Sequence, residues 1–302
     1  MTLDVSIVIP TYNQKPRFLI EAVESAMQQS YPKNKYEILI VDDGSTRILP
    51  ESTLEKFRGK EQIRMVKKVH GGISHTLNAG ITEMSGRYFK WLSSDDTLCE
   101  DALEVFMSRV NSEKEILYGD WIKINAEGRS LGVNYEPIFK TGKEAKLYLW
   151  RSFFGNGTAS LIPKSAFSKV GLFDCSLPFY EDYDWWLRAM FLHNYSFDHV
   201  HKIVAKYRFH QTQLTLNVDA HPIDKALMNW LIKKRVYAAM NETNRLNVNP
   251  TPTFALLSKQ LLFLEVDVLF TKYASSLTTS DTCANVLSVL RRIIRKRLPY
   301  LL

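Results

Sequence analysis

"VSIVIPTYN", Val5 to Asn13, sets the fold. Val5 to Ile9 is a short apolar run without alternation, closed by Pro10, and such runs suit strands covered on both faces. Glu37 to Val41 is a second run, closed by Asp42-Asp43-Gly44. Ile63 to Val69 and Arg87 to Leu92 are the third and fourth. Helix-like stretches lie between them, Arg17 to Gln29, Pro50 to Phe57 and Ile73 to Met84. Strands alternating with helices predict right-handed βαβ units and a mainly parallel sheet. Polar clusters fall where the runs end: Thr11-Tyr12-Asn13, Asp42 to Ser45, His70-Gly71-Gly72 and Ser93 to Asp96. In an open α/β sheet those strand ends form the ligand crevice.

The fourth run leads into "FKWLSSDDTL", Phe89 to Leu98, where Asp95 and Asp96 stand side by side. Adjacent like charges repel, so solvent screens them or a cation sits between them. A plainer reading treats Thr97-Leu98-Cys99-Glu100 as a capping box opening the next helix. The convergence of four clusters on one sheet edge favours the ligand reading, with Thr97 capping and the two carboxylates facing the crevice.

Beyond Tyr118 the pattern is irregular and partly β up to Lys143, with strands expected at Thr158 to Ile162 and Ile203 to Phe209. An acidic helix start, Glu181-Asp182-Tyr183-Asp184-Trp185-Trp186, lies between those strands. From Ile223 onward the chain reads as helical, broken at Asn247 to Pro252. A composition of 45% hydrophobic and 24% charged residues suits a globular protein with a substantial core. Cys99, Cys175 and Cys283 are odd in number and far apart, which reads as reduced thiols in a cytosolic setting. The first residues carry no signal-peptide pattern, and no apolar run is long enough to span a bilayer. The net charge of +7 is concentrated late, at Arg291, Arg292, Arg295, Lys296 and Arg297 among Leu290, Ile293, Ile294 and Leu298. That pattern suits a basic amphipathic helix on an anionic membrane, or a charged helix packed on the protein body. No nucleic-acid motif accompanies the charge, so nucleic acid is not an expected partner.

The first strand is followed by Pro10-Thr11-Tyr12-Asn13-Gln14, neither a G-x-G-x-x-G turn nor a P-loop. A nucleotide site here needs an aromatic for the base, a carboxylate for base or ribose, and a metal for the phosphates. Tyr12, Asp43 and Asp95/Asp96 are those residue types at three strand ends.

Six blocks in order resemble the inverting family 2 glycosyltransferases of the GT-A fold: "VSIVIPTYN", "ILIVDDGST" (Ile38–Thr46), "GGISHTLNAGI" (Gly71–Ile81), "GRYFKWLSSDD" (Gly86–Asp96), "VGLFDCSLPFYEDYDWWLRA" (Val170–Ala189) and "YRFHQTQLT" (Tyr207–Thr215). The resemblance implies an α/β fold with a Rossmann-like, mostly parallel central sheet flanked by helices. It assigns residues 1–215 to a catalytic domain, leaving 216–302 as a helical extension ending in the basic tail.

Carried over by position, Pro10, Thr11 and Tyr12 line the nucleobase pocket, and Asp43 contacts the base or ribose while Asp42 supports the turn. Gly72 approaches phosphate or ribose through its backbone, and Asn78 is structural. Asp96 ligates Mg²⁺ or Mn²⁺, with Asp95 toward the ribose or the metal shell. His210 completes the metal shell or touches the diphosphate, with Arg208 nearby favouring phosphate. Glu181 lies in the nucleotide-sugar site, and Asp182 is the general base. Asp184 pairs with Arg188 along the helix, and one of Trp185 and Trp186 is core while the other is available to stack on a sugar. Ser93 departs from the family pattern, in which many members carry Asp.

The implied reaction moves a hexosyl or N-acetylhexosaminyl group from a nucleotide diphosphate sugar, a UDP-sugar by preference, to an acceptor hydroxyl with inversion. A glycan or lipid-linked glycan acceptor in bacterial surface polysaccharide or glycolipid assembly would suit a cytoplasmic enzyme peripheral to the inner face of the membrane. Two alternatives stand beside it: a non-catalytic nucleotide-sugar-binding relative and a sugar-phosphate nucleotidyltransferase, the latter lacking its Gly-rich basic loop here.

Overall fold

A computed structural model of the chain describes residues 3–46, 57, 59–213 and 222–245. The chain forms two compact units, Met1–Gln213 and Leu214–Leu302. In the first unit β1 (Val5–Thr11), β2 (Tyr36–Asp42), β3 (Ile63–Lys67) and β4 (Tyr88–Trp91) lie in the order β3-β2-β1-β4, all parallel. Every residue of β1 and β4 is buried, as the runs without alternation require. Helix α1 (Pro16–Met27) follows β1 and α2 (Ile73–Glu83) follows β3. Pro16 begins α1, where its missing N–H costs nothing, and Phe18, Leu19, Ala22, Val23 and Ala26 form its buried stripe. Gly80 lets α2 lie directly on β1: a Cβ there would stand 2.3 Å from Val8 Cγ1.

Past β4 the sheet becomes mixed. Strand β5 (Thr97–Leu98) and helix α3 (Ala102–Arg109) precede β6 (Glu115–Ile124) and its hairpin partner β7 (Ser130–Asn134). Then come α4 (Gly142–Arg151), β8 (Ser160–Pro163), α5 (Lys164–Val170), α6 (Glu181–Leu187) and β9 (Ser196–Arg208). Strand β8 runs antiparallel to both β4 and β6, β6 and β9 are parallel, and β5 pairs antiparallel with β9. One continuous α/β sheet results, its order completed as β4-β8-β6-β9-β5.

The capping box expected at Thr97 is not formed. Thr97 pairs with Lys206 and Leu98 with Ala205, and the helix begins at Ala102. Pairing with a strand more than a hundred residues later outcompetes the local cap. Asn78 is structural as expected: its side chain donates to Phe173 O at 2.9 Å and accepts from Phe173 N at 3.0 Å. In the second unit the described element is α7 (Pro222–Arg245). The expected Pro50–Phe57 helix (Phe57 apart), Cys283 and the basic tail lie outside the described residues. Among the described residues, no helix is long and apolar enough to cross a membrane.

Candidate active site

The ends of β1 and β2 build one wall. Pro10 and Thr11 are buried within β1, and Tyr12 emerges 45% exposed, so of the three only Tyr12 presents a broad surface. The Tyr12 ring stacks on His70, centroids 4.1 Å apart and planes within 19°. Asn13 and Ser45 lock the two loops, with Asn13 N donating to Ser45 Oγ at 2.8 Å and Thr46 N to Asn13 Oδ1 at 3.0 Å. Asp42 takes the turn-supporting role, accepting Ser45 N at 3.0 Å.

Asp43 is buried beneath this wall, its carboxylate accepting from Gly71 N at 3.0 Å, Gly72 N at 2.8 Å and Lys68 Nζ at 2.5 Å. His70 Nδ1 lies 2.8 Å from its Oδ2. Burial alone would raise its pKa, but the bonds from Lys68 and the two glycine amides outweigh it, and the pKa is lowered. Gly72 caps α2 at φ +91°, a conformation that favours glycine, and its N–H is directed at Asp43. Asp43 therefore holds the His70–Gly72 turn, and with it the Tyr12–His70 stack.

The second cluster follows β4. Asp96 is 1% exposed, accepting from Arg208 N at 2.8 Å and Thr158 Oγ1 at 2.7 Å. Burial first, then the charge of Asp95, push its pKa well above the ordinary range, while Arg208 and Thr158 pull it down. Asp95 Oδ2 lies 2.8 Å from His210 Nε2, so His210 meets Asp95 rather than Asp96. Thr158 Oγ1 also stands 3.3 Å from Ser93 Oγ. Below them Lys90 is buried and donates to Thr158 O, with burial drawing its pKa down to about 7 against the pull of Asp96.

Arg208 does not serve a phosphate, contrary to expectation. It is 1% exposed, and it donates to Asp95 O at 2.7 Å, Glu21 Oε2 at 2.5 Å and Ala126 O at 3.1 Å. Its guanidinium also lies 4.7 Å from the centre of the Phe18 ring. A buried guanidinium with those partners is a fastener for the loop carrying the acid pair.

Helix α6 brings the third cluster. Tyr180 enters it at φ +67°, and Glu181, Asp182 and Asp184 occupy the first turn, where the helix dipole favours negative charge. Glu181 is raised by burial and then by Asp182; Asp182, half-buried, is raised chiefly by burial. Asp184 bonds Arg188 at 2.8 Å, the expected helix pair. Trp185 and Trp186 are both fully buried, so neither has the exposed face expected for sugar stacking. Trp185 packs on Phe173, which in turn packs on Trp91 at the end of β4.

One residue escaped the sequence reading. The Glu136 carboxylate accepts from Trp121 Nε1 at 2.7 Å, Asn134 Nδ2 at 3.0 Å and Gly155 N at 3.1 Å. It therefore ties the β6–β7 hairpin to the loop that carries Thr158 to Asp96. No motif surrounds it, and only an acid between an aromatic and a proline marks the place. Among the described residues, no three His, Cys, Asp or Glu side chains form a ready metal shell. A cavity of about 260 Å³, with Phe139, Lys146, Met190 and Tyr195 among its walls, contains none of the nominated residues.

Residues 6–171 match the model of glycosyl transferase family 2. An uncharacterised glycosyltransferase of Rickettsia bellii is 34% identical over 223 residues, 72% of this chain and 31% of that protein. One from Rickettsia typhi is 33% identical over 238 residues, 76% of this chain and 72% of its own length. The chain thus spans about a third of the first relative and most of the second. Among solved structures, Staphylococcus aureus TarS 1–349 in complex with UDP-GlcNAc aligns with a TM-score of 0.65 at 17% identity, covering 97% of this chain and 81% of that one. That likeness establishes the fold as the GT-A type. The chain belongs to glycosyl transferase family 2.

Proposed function

We propose that the chain transfers a sugar from a nucleotide diphosphate sugar to an acceptor hydroxyl with inversion at the anomeric carbon. The observation that carries this is the Asp95–Asp96 pair, Asp96 buried and Asp95 half-buried, fastened by Arg208 and Thr158 at the strand ends that also carry the Tyr12–His70 stack. The Tyr12–His70 surface offers a face for the base, and Asp43 keeps it in place. A uridine donor is supported by the TarS neighbours, solved with UDP-GlcNAc and with UDP.

The acid pair suits a hard divalent cation. Asp96 has a raised proton affinity because burial and Asp95 crowd negative charge there, and a cation relieves both. Asp95 and Asp96 would hold Mg²⁺ or Mn²⁺ together with donor phosphate oxygens, the common arrangement for such ions, with His210 bonded to Asp95 beside them. Bound there, the ion supplies Lewis-acid stabilisation of charge on the departing diphosphate. Asp182 accepts the acceptor proton as its oxygen attacks the anomeric carbon. Burial raises the pKa of both carboxyls of the pair, and the charge of Asp182 raises Glu181 further, which moves them toward the range a general base needs. A glycan or lipid-linked glycan at the cytoplasmic face of a bacterial membrane is the acceptor we favour, with the basic tail as its surface anchor.

A panel of nucleotide diphosphate sugars, with and without Mn²⁺ or Mg²⁺, tests the reading by release of free nucleoside diphosphate. Metal-dependent release from one donor, lost in Asp182→Asn, supports it. Donor binding without turnover for any sugar or acceptor would make the chain a binding relative instead.

A further inference from the structure

Segment Asn134–Ile138 leads out of the last residue of β7 and is unusually well fastened for a connection. Glu136 N donates to Asp120 Oδ1 at 2.8 Å, and Asp120 also meets His199 Nε2 at 2.9 Å. Tyr118 Oη donates to Pro137 O at 2.6 Å. The Glu136 carboxylate adds its three donors, Trp121, Asn134 and Gly155. Yet the side chains on either side of this anchor face solvent, Tyr135 at 76% and Ile138 at 60% exposure. A rigid strap presenting an aromatic ring and an aliphatic group to water is the form of a prepared contact surface.

Its position says what it contacts. Glu136 grips Gly155, and three residues on Thr158 donates to Asp96. A Cβ on Gly155 would stand 3.3 Å from Trp186 Nε1, which places the strap's anchor against α6, four residues along from Asp182. The strap's anchor thus lies on the α6 side, the helix that carries the proposed base Asp182.

We propose that the Asn134–Ile138 strap is an acceptor-binding wall, with Tyr135 stacking on a sugar ring and Glu136 as the positioning residue that fixes it. This rests on the glycosyl-transfer reading above. The apolar face of a pyranose offers C–H groups to an aromatic face, and the tyrosine hydroxyl keeps its other end wetted.

The test uses p-nitrophenyl glycosides of hexoses and N-acetylhexosamines as acceptor probes, with saturation-transfer NMR on the full chain. Wild type should give ring-proton signals with at least one glycoside. Tyr135→Ala should weaken them, with acceptor KM raised roughly three- to tenfold, and Tyr135→Phe should restore them. Glu136→Gln replaces one acceptor oxygen by a donor facing Trp121 or Gly155. It should raise acceptor KM and speed hydrogen exchange at Gly155, while UDP affinity by calorimetry stays that of wild type. Signals undiminished in Tyr135→Ala, or absent from every glycoside with wild type, overturn the proposal. Concentration-dependent self-association abolished by Tyr135→Ala would assign the strap to a second copy of the chain and also overturn it. Loss of UDP binding by wild type would instead count against the transferase reading itself.

Discussion

Replacing Asp43 by Asn removes the charge on which the His70–Gly72 turn is hung. The carboxylate receives two backbone amides, at 3.0 and 2.8 Å, and the Lys68 ammonium at 2.5 Å. Hydrogen bonds to a charged group contribute about 1.5–3 kcal/mol each, and a buried amide left facing another donor costs a similar amount. An asparagine carbonyl retains one glycine amide and turns its NH₂ toward the other. Lys68, 21% exposed, recovers part of its loss from water. The net expectation is a destabilisation of about 2–4 kcal/mol, or roughly 5–15 °C in Tm for a unit of this size. The pH dependence has a fixed sign. Because the folded-state pKa is lowered below 3.8, Asp43 stabilises fully above that value and loses the contribution as pH falls through its depressed pKa. Urea denaturation of wild type and Asp43→Asn, followed by tryptophan fluorescence, should give the same gap at pH 7 and pH 5, narrowing below pH 3.8. UDP affinity should fall about tenfold as the Tyr12–His70 stack loosens. A gap under about 0.5 kcal/mol at pH 7, or one that closes between pH 7 and pH 5, refutes the assignment.

Asp182→Asn should lower transfer by about 10²–10⁴-fold with UDP affinity unchanged, measured by single-turnover assay and calorimetry. In wild type the rate should fall on acidification through about pH 6, where burial has moved the Asp182 pKa. Thr158→Val keeps the volume but strips a hydrogen bond from Asp96; the Mn²⁺ concentration giving half-maximal activity should rise, with about 1–3 kcal/mol lost from stability. Arg208→Met leaves Glu21 Oε2 and the carbonyls of Asp95 and Ala126 without the Arg208 donor, and thermal scanning should register a loss of about 3 kcal/mol or more.

The parallel half of the sheet was legible because its strands are buried on both faces, so unbroken apolar runs mark them. The Asp42 turn and the Asp184–Arg188 pair were legible too, since residue type and immediate neighbours determine each, whereas Asn78 was legible as structural but not its partner Phe173, 95 residues on. Long-range pairing was not. Thr97 carries a valid capping signal, yet Lys206 and Ala205 decide its structure from the far end of the chain. Arg208 carries the charge a phosphate wants, but four carbonyl or carboxylate groups from α1, the acid-pair loop and the β6–β7 turn enclose it. Trp185 and Trp186 alternate around α6, but this short helix is covered on both sides. Glu136 left no trace because its three donors come from three separate stretches of chain.

The bonds that close the acid pair also set an order on biogenesis. Arg208 reaches Asp96 across 112 residues and His210 reaches Asp95 across 115, so both partners leave the ribosome long after the carboxylates. Strands β1 to β4 can pair as they emerge, because domains form from the N-terminus during synthesis. The two aspartates then wait, unfastened and solvated, until β9 docks alongside β6. On the proposed reading, donor-binding competence is therefore acquired late, and a nascent chain that stalls before β9 holds the parallel strands β1 to β4 but not the fastened acid pair.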